Sequence, residues 1–133
     1  VVVLDVKKKG FLGGYEIFTH NGNKATGVKL KDFVQKLNEI GIGELVINSI
    51  EDDGKMTGFD FKLFDMVREL TDMPMTIMGG AGHLDHIKQS IARYKTIGVA
   101  AGSLFVFKGK YRAVLINYPD RQERNELYQI TKK

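Results

Sequence analysis

The chain has 133 residues, 43% hydrophobic and 27% charged, which is enough apolar side chain for a core and too much for a disordered segment. It has no cysteine, which excludes disulfides and thiolate metal sites, and its net charge of +4 suits anionic ligands of any kind. No apolar run approaches the length of a membrane span and no leader pattern opens the chain, so a cytoplasmic protein without membrane contact is expected.

Val1 to Val6, VVVLDV, is apolar apart from Asp5, the pattern of a parallel strand covered on both faces. A core strand at the first residue, with no methionine before it, makes a fragment of a longer protein the expectation. The Lys7-Lys8-Lys9 run lacks an accompanying aromatic and basic stripe, so it reads as a solvated loop and no nucleic-acid partner is expected. Next comes a long decorated loop with a small hairpin, in which Tyr15 to His20 reads as strand and Asn21-Gly22 as a tight turn. KLKDFVQKLNEIG places Leu30, Phe33, Val34, Leu37 and Ile40 on one helical face, with Gly41 or Gly43 ending it.

ELVINSI then reads as strand, EDDGKMTGFD as loop, and FKLFDMVRELT as a helix with Leu63, Phe64, Val67 and Leu70 inward. After Pro74, the strand MTIM runs into glycines, and a helix from Leu84 to Tyr94 follows. IGVAAGSLFVF supplies a fourth strand and a second small-residue turn, and a last helix spans Arg121 to Ile130. Strand and helix thus alternate four times in units of roughly thirty residues, which predicts an α/β fold with a parallel sheet and right-handed crossovers. A doubly wound sheet and part of a barrel both fit. A whole (β/α)8 barrel takes about 250 residues. The expectation is therefore a single (β/α)4 half-barrel over residues 1–133.

In such folds chemistry sits at the carboxyl ends of the strands, and four groups of residues fall there. Gly79-Gly80-Ala81-Gly82 is not a dinucleotide fingerprint, because Asp85 stands where G-x-G-x-x-G needs its last glycine. Taken alone, it reads equally as a phosphate site of bare amides or as a tight turn. Ala100-Ala101-Gly102-Ser103 on the adjacent strand tips the balance toward a shared phosphate cradle made by Gly79, Gly80, Gly102 and Ser103.

Glu51-Asp52-Asp53-Gly54 lacks the leading aspartate and flanking helices of a calcium loop; one of its acids is expected to do acid–base work and the other two to be solvated. Asp5, alone inside an apolar strand, reads as catalytic rather than as a partner of Lys7, which shares its face. His83 and His86 lack a convergent third ligand and read as a solvated helix end, so no metal is expected, and His20 carries no signal.

Quoted together, VVVLDVKKKGFLGGYEIFTHNGNKATG, GIGELVINSIEDDGKMTGFD, MGGAG and AAGSLFVF closely resemble the cyclase (synthase) subunit of imidazole glycerol phosphate synthase, from Val1 to about Phe107. The resemblance implies the C-terminal half of a TIM (β/α)8 barrel, strands five to eight. It implies an enzyme that takes ammonia from a glutaminase partner docked at the barrel bottom. That ammonia converts a bisphosphorylated ribulosyl aminoimidazole carboxamide nucleotide to imidazole glycerol phosphate and an aminoimidazole carboxamide ribotide, in histidine biosynthesis, with no cofactor.

By the same resemblance Asp5 matches one of two catalytic aspartates, the other lying on strand one, and Asp53 matches the acid of the loop after strand six. Gly54, Gly80, Gly102 and Ser103 match a phosphate cradle, and Glu44 matches a charged ammonia-gate residue. A fragment lacking the second aspartate is expected to be inactive alone. The sequence departs from the family where Ser49-Ile-Glu-Asp-Asp-Gly-Lys55 replaces SIDRDGT, Met78 replaces serine, and Asn48 replaces threonine. These departures resemble a paralogue that uses ammonia to make an acetamidino sugar of surface polysaccharide, which stands as the alternative.

Overall fold

The computed structural model describes residues 1–10 and 14–129. The chain opens with β1 (Val2–Lys8), followed by the hairpin β2 (Tyr15–Thr19) and β3 (Lys24–Lys29), then α1 (Leu30–Ile40) and β4 (Leu45–Ser49). It continues through α2 (Phe61–Leu70), β5 (Met75–Met78), α3 (Leu84–Tyr94) and β6 (Gly98–Ala100). The described residues end with the short α4 (Ser103–Val106), a two-stranded ribbon β7 (Phe107–Lys108) and β8 (Ala113–Val114), and α5 (Arg121–Gln129). The expected end of the last helix at Ile130 lies outside the described residues.

The main sheet has the order β3-β2-β1-β4-β5-β6, in which β1, β4, β5 and β6 are mutually parallel. Alternation along these strands decides the two faces. Leu4, Val6, Leu45, Ile47, Met75 and Ile77 are buried in one core with Leu30, Val34 and Leu37 of α1 and Leu63, Phe64 and Val67 of α2. The alternate positions Val3, Asp5, Val46, Asn48, Thr76 and Met78 stand on the other face. The first strand was expected to be covered on both faces, yet Val3 is 59% exposed. Right-handed crossovers bring successive helices to one side of a parallel sheet, so they bury one set of side chains only. Ile40 is also 63% exposed, because it closes the final turn of α1, beyond the last contact of that helix with the sheet.

The hairpin is more than a loop decoration. Its strand β2 pairs antiparallel with the carboxyl half of β1, from Asp5 opposite Phe18 to Lys8 opposite Tyr15. His20, Asn21 and Gly22 carry the positive φ values that turn the chain. The sheet thereby gains two strands that periodicity alone does not assign to it, since periodicity does not say which free edge a hairpin will pair with. Tyr15 donates its hydroxyl to Asp60 Oδ2 at 2.8 Å, tying the hairpin to the start of α2, where Asp60 Oδ1 also accepts from Leu63 N at 3.1 Å and caps the helix.

On the outer surface Arg93 binds Asp65 in a bidentate pair that joins α3 to α2, and Tyr94 donates to the same carboxylate at 2.7 Å. Burial, then the hydrogen bonds to Asp60 and Asp65, hold the phenols of Tyr15 and Tyr94 well above the ordinary tyrosine value of 10.0. A folded-state pKa above the unfolded one stabilises the protein fully below pH 10.0, and that stabilisation is lost as pH rises toward the raised value. Thermal melts between about pH 9 and 11 should therefore show a falling melting temperature that flattens in the Tyr15→Phe/Tyr94→Phe double variant. Equal slopes in both proteins would contradict this. Among the described residues no helix is long and apolar enough to cross a membrane.

Candidate functional site

The carboxyl ends of β4, β5 and β6 surround a cavity of about 240 Å³. The loop after β4 contributes Asp53 and Gly54, the tip of β5 contributes Met78 to Ala81, and the tip of β6 contributes Ala100 to Ser103. Six residues singled out in the sequence, Asp53, Gly54, Gly79, Gly80, Gly102 and Ser103, thus line one space.

The glycines do not all serve it in the same way. A Cβ on Gly79, at φ 96°, would stand 2.3 Å from the carbonyl oxygen of Ser49, and one on Gly80, at φ 103°, would stand 2.0 Å from that of Gly58. Gly58 N in turn donates to Gly80 O at 2.8 Å. Gly82 is likewise pressed against Met56 O, where a Cβ would come within 2.1 Å. The β5 tip therefore packs backbone to backbone against the loop after β4. This corrects the expectation that these glycines are bare to make room for an anion: the neighbouring main chain takes that room. Open space lies instead at Gly102, where a Cβ would meet nothing within 4 Å, and at Gly54, where it would meet Ser103 Oγ at 3.9 Å. The first amides of α4 follow directly and have no acceptor in their own helix.

Asp5 lies outside the cavity lining but on its level. Asp5, Asn48, Met78 and Ala100 form one register row across the parallel strands, and Met78 and Ala100 belong to the cavity wall. Two strand spacings separate Asp5 from Met78, roughly 10 Å. Asn48 Nδ2 donates to Asp5 Oδ1 at 2.9 Å. The ammonium of Lys7 stands over the Phe18 ring at 5.8 Å, and no ion pair of Asp5 occurs among the described residues.

Glu44 occupies the other end of the sheet, one residue before β4. Its Oε1 accepts from Thr76 Oγ1 at 2.6 Å and its carbonyl accepts from Val2 N at 2.9 Å. Along the strand it is four residues, roughly 13 Å, below Asn48.

The three acids after β4 part company, against the expectation that two of them are solvated. Glu51 accepts from Lys8 N at 3.0 Å and Asp52 accepts from Ser49 Oγ at 2.6 Å, both half-buried, while Asp53 is the exposed one and faces the cavity. The amides of Asp52 and Asp53 both donate to Ser49 O, and this tight turn fixes which acid points where. His86 is not solvated either: its Nδ1 accepts from Gly82 N at 3.1 Å, holding the glycine tip onto α3. Exposed His83 stands 3.7 Å from Asp85. Among the described residues no group of three or more acids or histidines is arranged to hold a metal ion.

One residue at the site had no sequence signal. Arg112, in the turn of the β7–β8 ribbon, donates from Nη2 to Gly54 O at 3.0 Å, and its guanidinium lies over the Phe107 ring at 4.8 Å. Its place depends on a contact 58 residues away in sequence, which no local pattern reports.

Residues 1–112 match the family model described as histidine biosynthesis protein. The chain belongs to that family. Histidine biosynthesis proteins of this kind are TIM barrels, in keeping with the parallel sheet and its helices. A relative from Leptospira borgpetersenii, provisionally named imidazole glycerol phosphate synthase subunit HisF, is 46% identical over 128 residues, covering 96% of this chain and 50% of its own length. The relative from Leptospira interrogans with the same provisional name is 44% identical over the same share of each chain. One from Vibrio vulnificus, provisionally named subunit hisF3, is 45% identical over 130 residues, covering 98% of this chain and 50% of its own. The chain spans about half the length of the curated relatives it matches. The resemblance to the synthase subunit that the strand-end motifs carry is borne out by these matches.

Proposed function

We propose that residues 1–133 form the C-terminal (β/α)4 half of a (β/α)8 barrel, and that the whole barrel is an ammonia-using synthase subunit acting on a phosphorylated substrate. The observation that carries the reading is a cavity at the carboxyl ends of three parallel strands, with Asp5 on the same register row. In this reading a phosphate sits against the amides around Gly54, Gly80, Gly102 and Ser103, and those of α4, and the chain's net charge of +4 favours its anionic charge. Asp5 moves protons on the substrate, together with a second acid from the other half, and Asp53 assists from the rim. In the same reading Glu44, at the far end of the sheet and free of ion pairs among the described residues, acts as an ammonia gate. A glutaminase docked beneath it would keep ammonia unprotonated and out of bulk water.

The reaction proposed is conversion of the ribulosyl aminoimidazole carboxamide nucleotide to imidazole glycerol phosphate and the aminoimidazole carboxamide ribotide. A second reading, ammonia transfer to a sugar, is favoured by Met78, an apolar residue in the cavity wall where the resembling family has serine. Ammonia-dependent turnover of the ribulosyl nucleotide by the complete barrel decides between them. Turnover supports the first, and its absence in a folded protein that binds phosphate supports the second.

Arg112 enters this reading as an outer clamp. Arg112→Ala should weaken binding of inorganic phosphate, followed by calorimetry, by about two- to fivefold, the range of an exposed charge contact, with the melting temperature unchanged. Unchanged phosphate affinity would remove Arg112 from the site.

A further inference from the structure

His86 is half-buried beside the glycine tip of β5, and its ring meets two pieces of main chain. Gly82 N lies 3.1 Å from its Nδ1. A backbone N–H can only donate, so Nδ1 is the bare nitrogen and the ring proton sits on Nε2. The second contact is with the loop after β4. A Cβ on Gly58 would meet Nε2 at 3.7 Å, Cε1 at 3.8 Å and Cδ2 at 4.0 Å, so the ring lies over that glycine. Gly58 is also the residue whose N–H donates to Gly80 O at 2.8 Å. His86 itself is fixed in α3, because its N–H donates to His83 O at 3.1 Å and its carbonyl accepts from the fully buried Ser90 Oγ at 3.0 Å. One side chain thus braces, from α3, the β5 tip and the loop after β4, and both of these segments line the cavity.

We propose that His86 is a positioning residue for this cavity, holding its glycine wall in place only while the imidazole is neutral, so that acid loosens the wall and weakens anion binding. Protonation puts a hydrogen on Nδ1, directly against the N–H of Gly82, and turns an attraction into a repulsion. The surroundings do not compensate the new charge. On the same helix end His83 has its ring centre 6.3 Å away, and Asp85 is engaged by His83 at 3.7 Å and Lys88 at 3.5 Å. What the β5 tip and the loop after β4 set against the ring is glycine main chain, and no ion pair of His86 occurs among the described residues. This role rests on the reading of the cavity as an anion site.

The test is a titration with inorganic sulfate, a tetrahedral anion that keeps its double charge throughout, followed by NMR on the uniformly 15N-labelled chain. It is run at about pH 8 and about pH 5.5, either side of the ordinary histidine value of about 6.5. Coulomb attraction alone tightens sulfate binding as the pH falls, because the protein gains positive charge. The His86 brace acts in the opposite sense. In His86→Asn the amide oxygen takes the place of Nδ1 and accepts from Gly82 at either pH, so that variant is the baseline. The parent should match it at the higher pH and bind sulfate about fivefold more weakly than it at the lower, the worth of one hydrogen bond. His83→Gln, which removes the neighbouring titration, should leave that ratio in place. In the unmodified chain the His86 ring should carry its proton on Nε2 at the higher pH, and the Gly82 amide should shift with the same midpoint as the ring, a reading that needs no variant to fold. A parent-to-variant ratio that does not change with pH, a ring protonated on Nδ1 at the higher pH, or a Gly82 amide that ignores the His86 titration would each overturn the proposal. The amides of Gly54, Gly102 and Ser103 report the anion separately. Sulfate shifts there that are the same in the parent and His86→Asn at both pH values sink the brace and spare the anion site. Their absence at both pH values, with Gly82 still titrating, sinks the anion site and the coupling that rests on it.

Discussion

Replacing Gly80 with alanine is expected to destabilise the protein by about 2–5 kcal/mol, combining a side chain forced to positive φ with overpacking against main chain. The obstacle is the Gly58 carbonyl, 2.0 Å from the added carbon; it is main chain with no rotamer into which to retreat, and its residue's N–H is hydrogen-bonded to Gly80 O. For a domain of this size the melting temperature should fall by on the order of 10 °C in a calorimetric scan. Gly102→Ala is the matched control. Its φ is −101° and its surroundings are open, so stability should hold while binding of phosphate weakens, because the added methyl occupies the space left for the anion. A Gly80→Ala protein that melts within a degree or two of the parent would show that the β5 tip and the loop after β4 do not pack as described.

Asp5→Asn should reduce ammonia-dependent turnover by the complete barrel by about two to four orders of magnitude, the usual worth of a general acid or base. The fold should survive, since an amide oxygen at position 5 still accepts from Asn48 Nδ2, and phosphate binding should survive with it. Steady-state kinetics on the variant, run beside a phosphate titration, separate loss of chemistry from loss of binding. Turnover within threefold of the parent would end the case for Asp5 as a catalytic residue and leave only a phosphate-binding domain.

Much of this architecture is written in short-range pattern. The bounds of α3, Leu84 to Tyr94, follow from its periodicity and a glycine-rich start, and those of β5 from four residues between Pro74 and Gly79. The parallel order of β1, β4, β5 and β6 follows from alternation of strand with helix, because a crossover that long has little choice of hand or direction. Even the gathering of Asp53, Gly54, Gly80, Gly102 and Ser103 is legible, since strands that run the same way bring their carboxyl tips to one rim.

What the chain alone determined, then, was which segments are strands and helices and which residues reach the rim, because both depend on periodicities and breakers read within a few residues. Tertiary structure decided the rest. It placed the hairpin on the free edge of β1, set the Gly79 and Gly80 backbones against Ser49 and Gly58, separated Asp53 from Glu51 and Asp52, brought Arg112 to Gly54, and turned the Asn48 amide toward Asp5. Most of these are contacts between residues far apart along the chain, and a contact of that kind is fixed by which surfaces meet when the core closes, not by anything either segment carries alone.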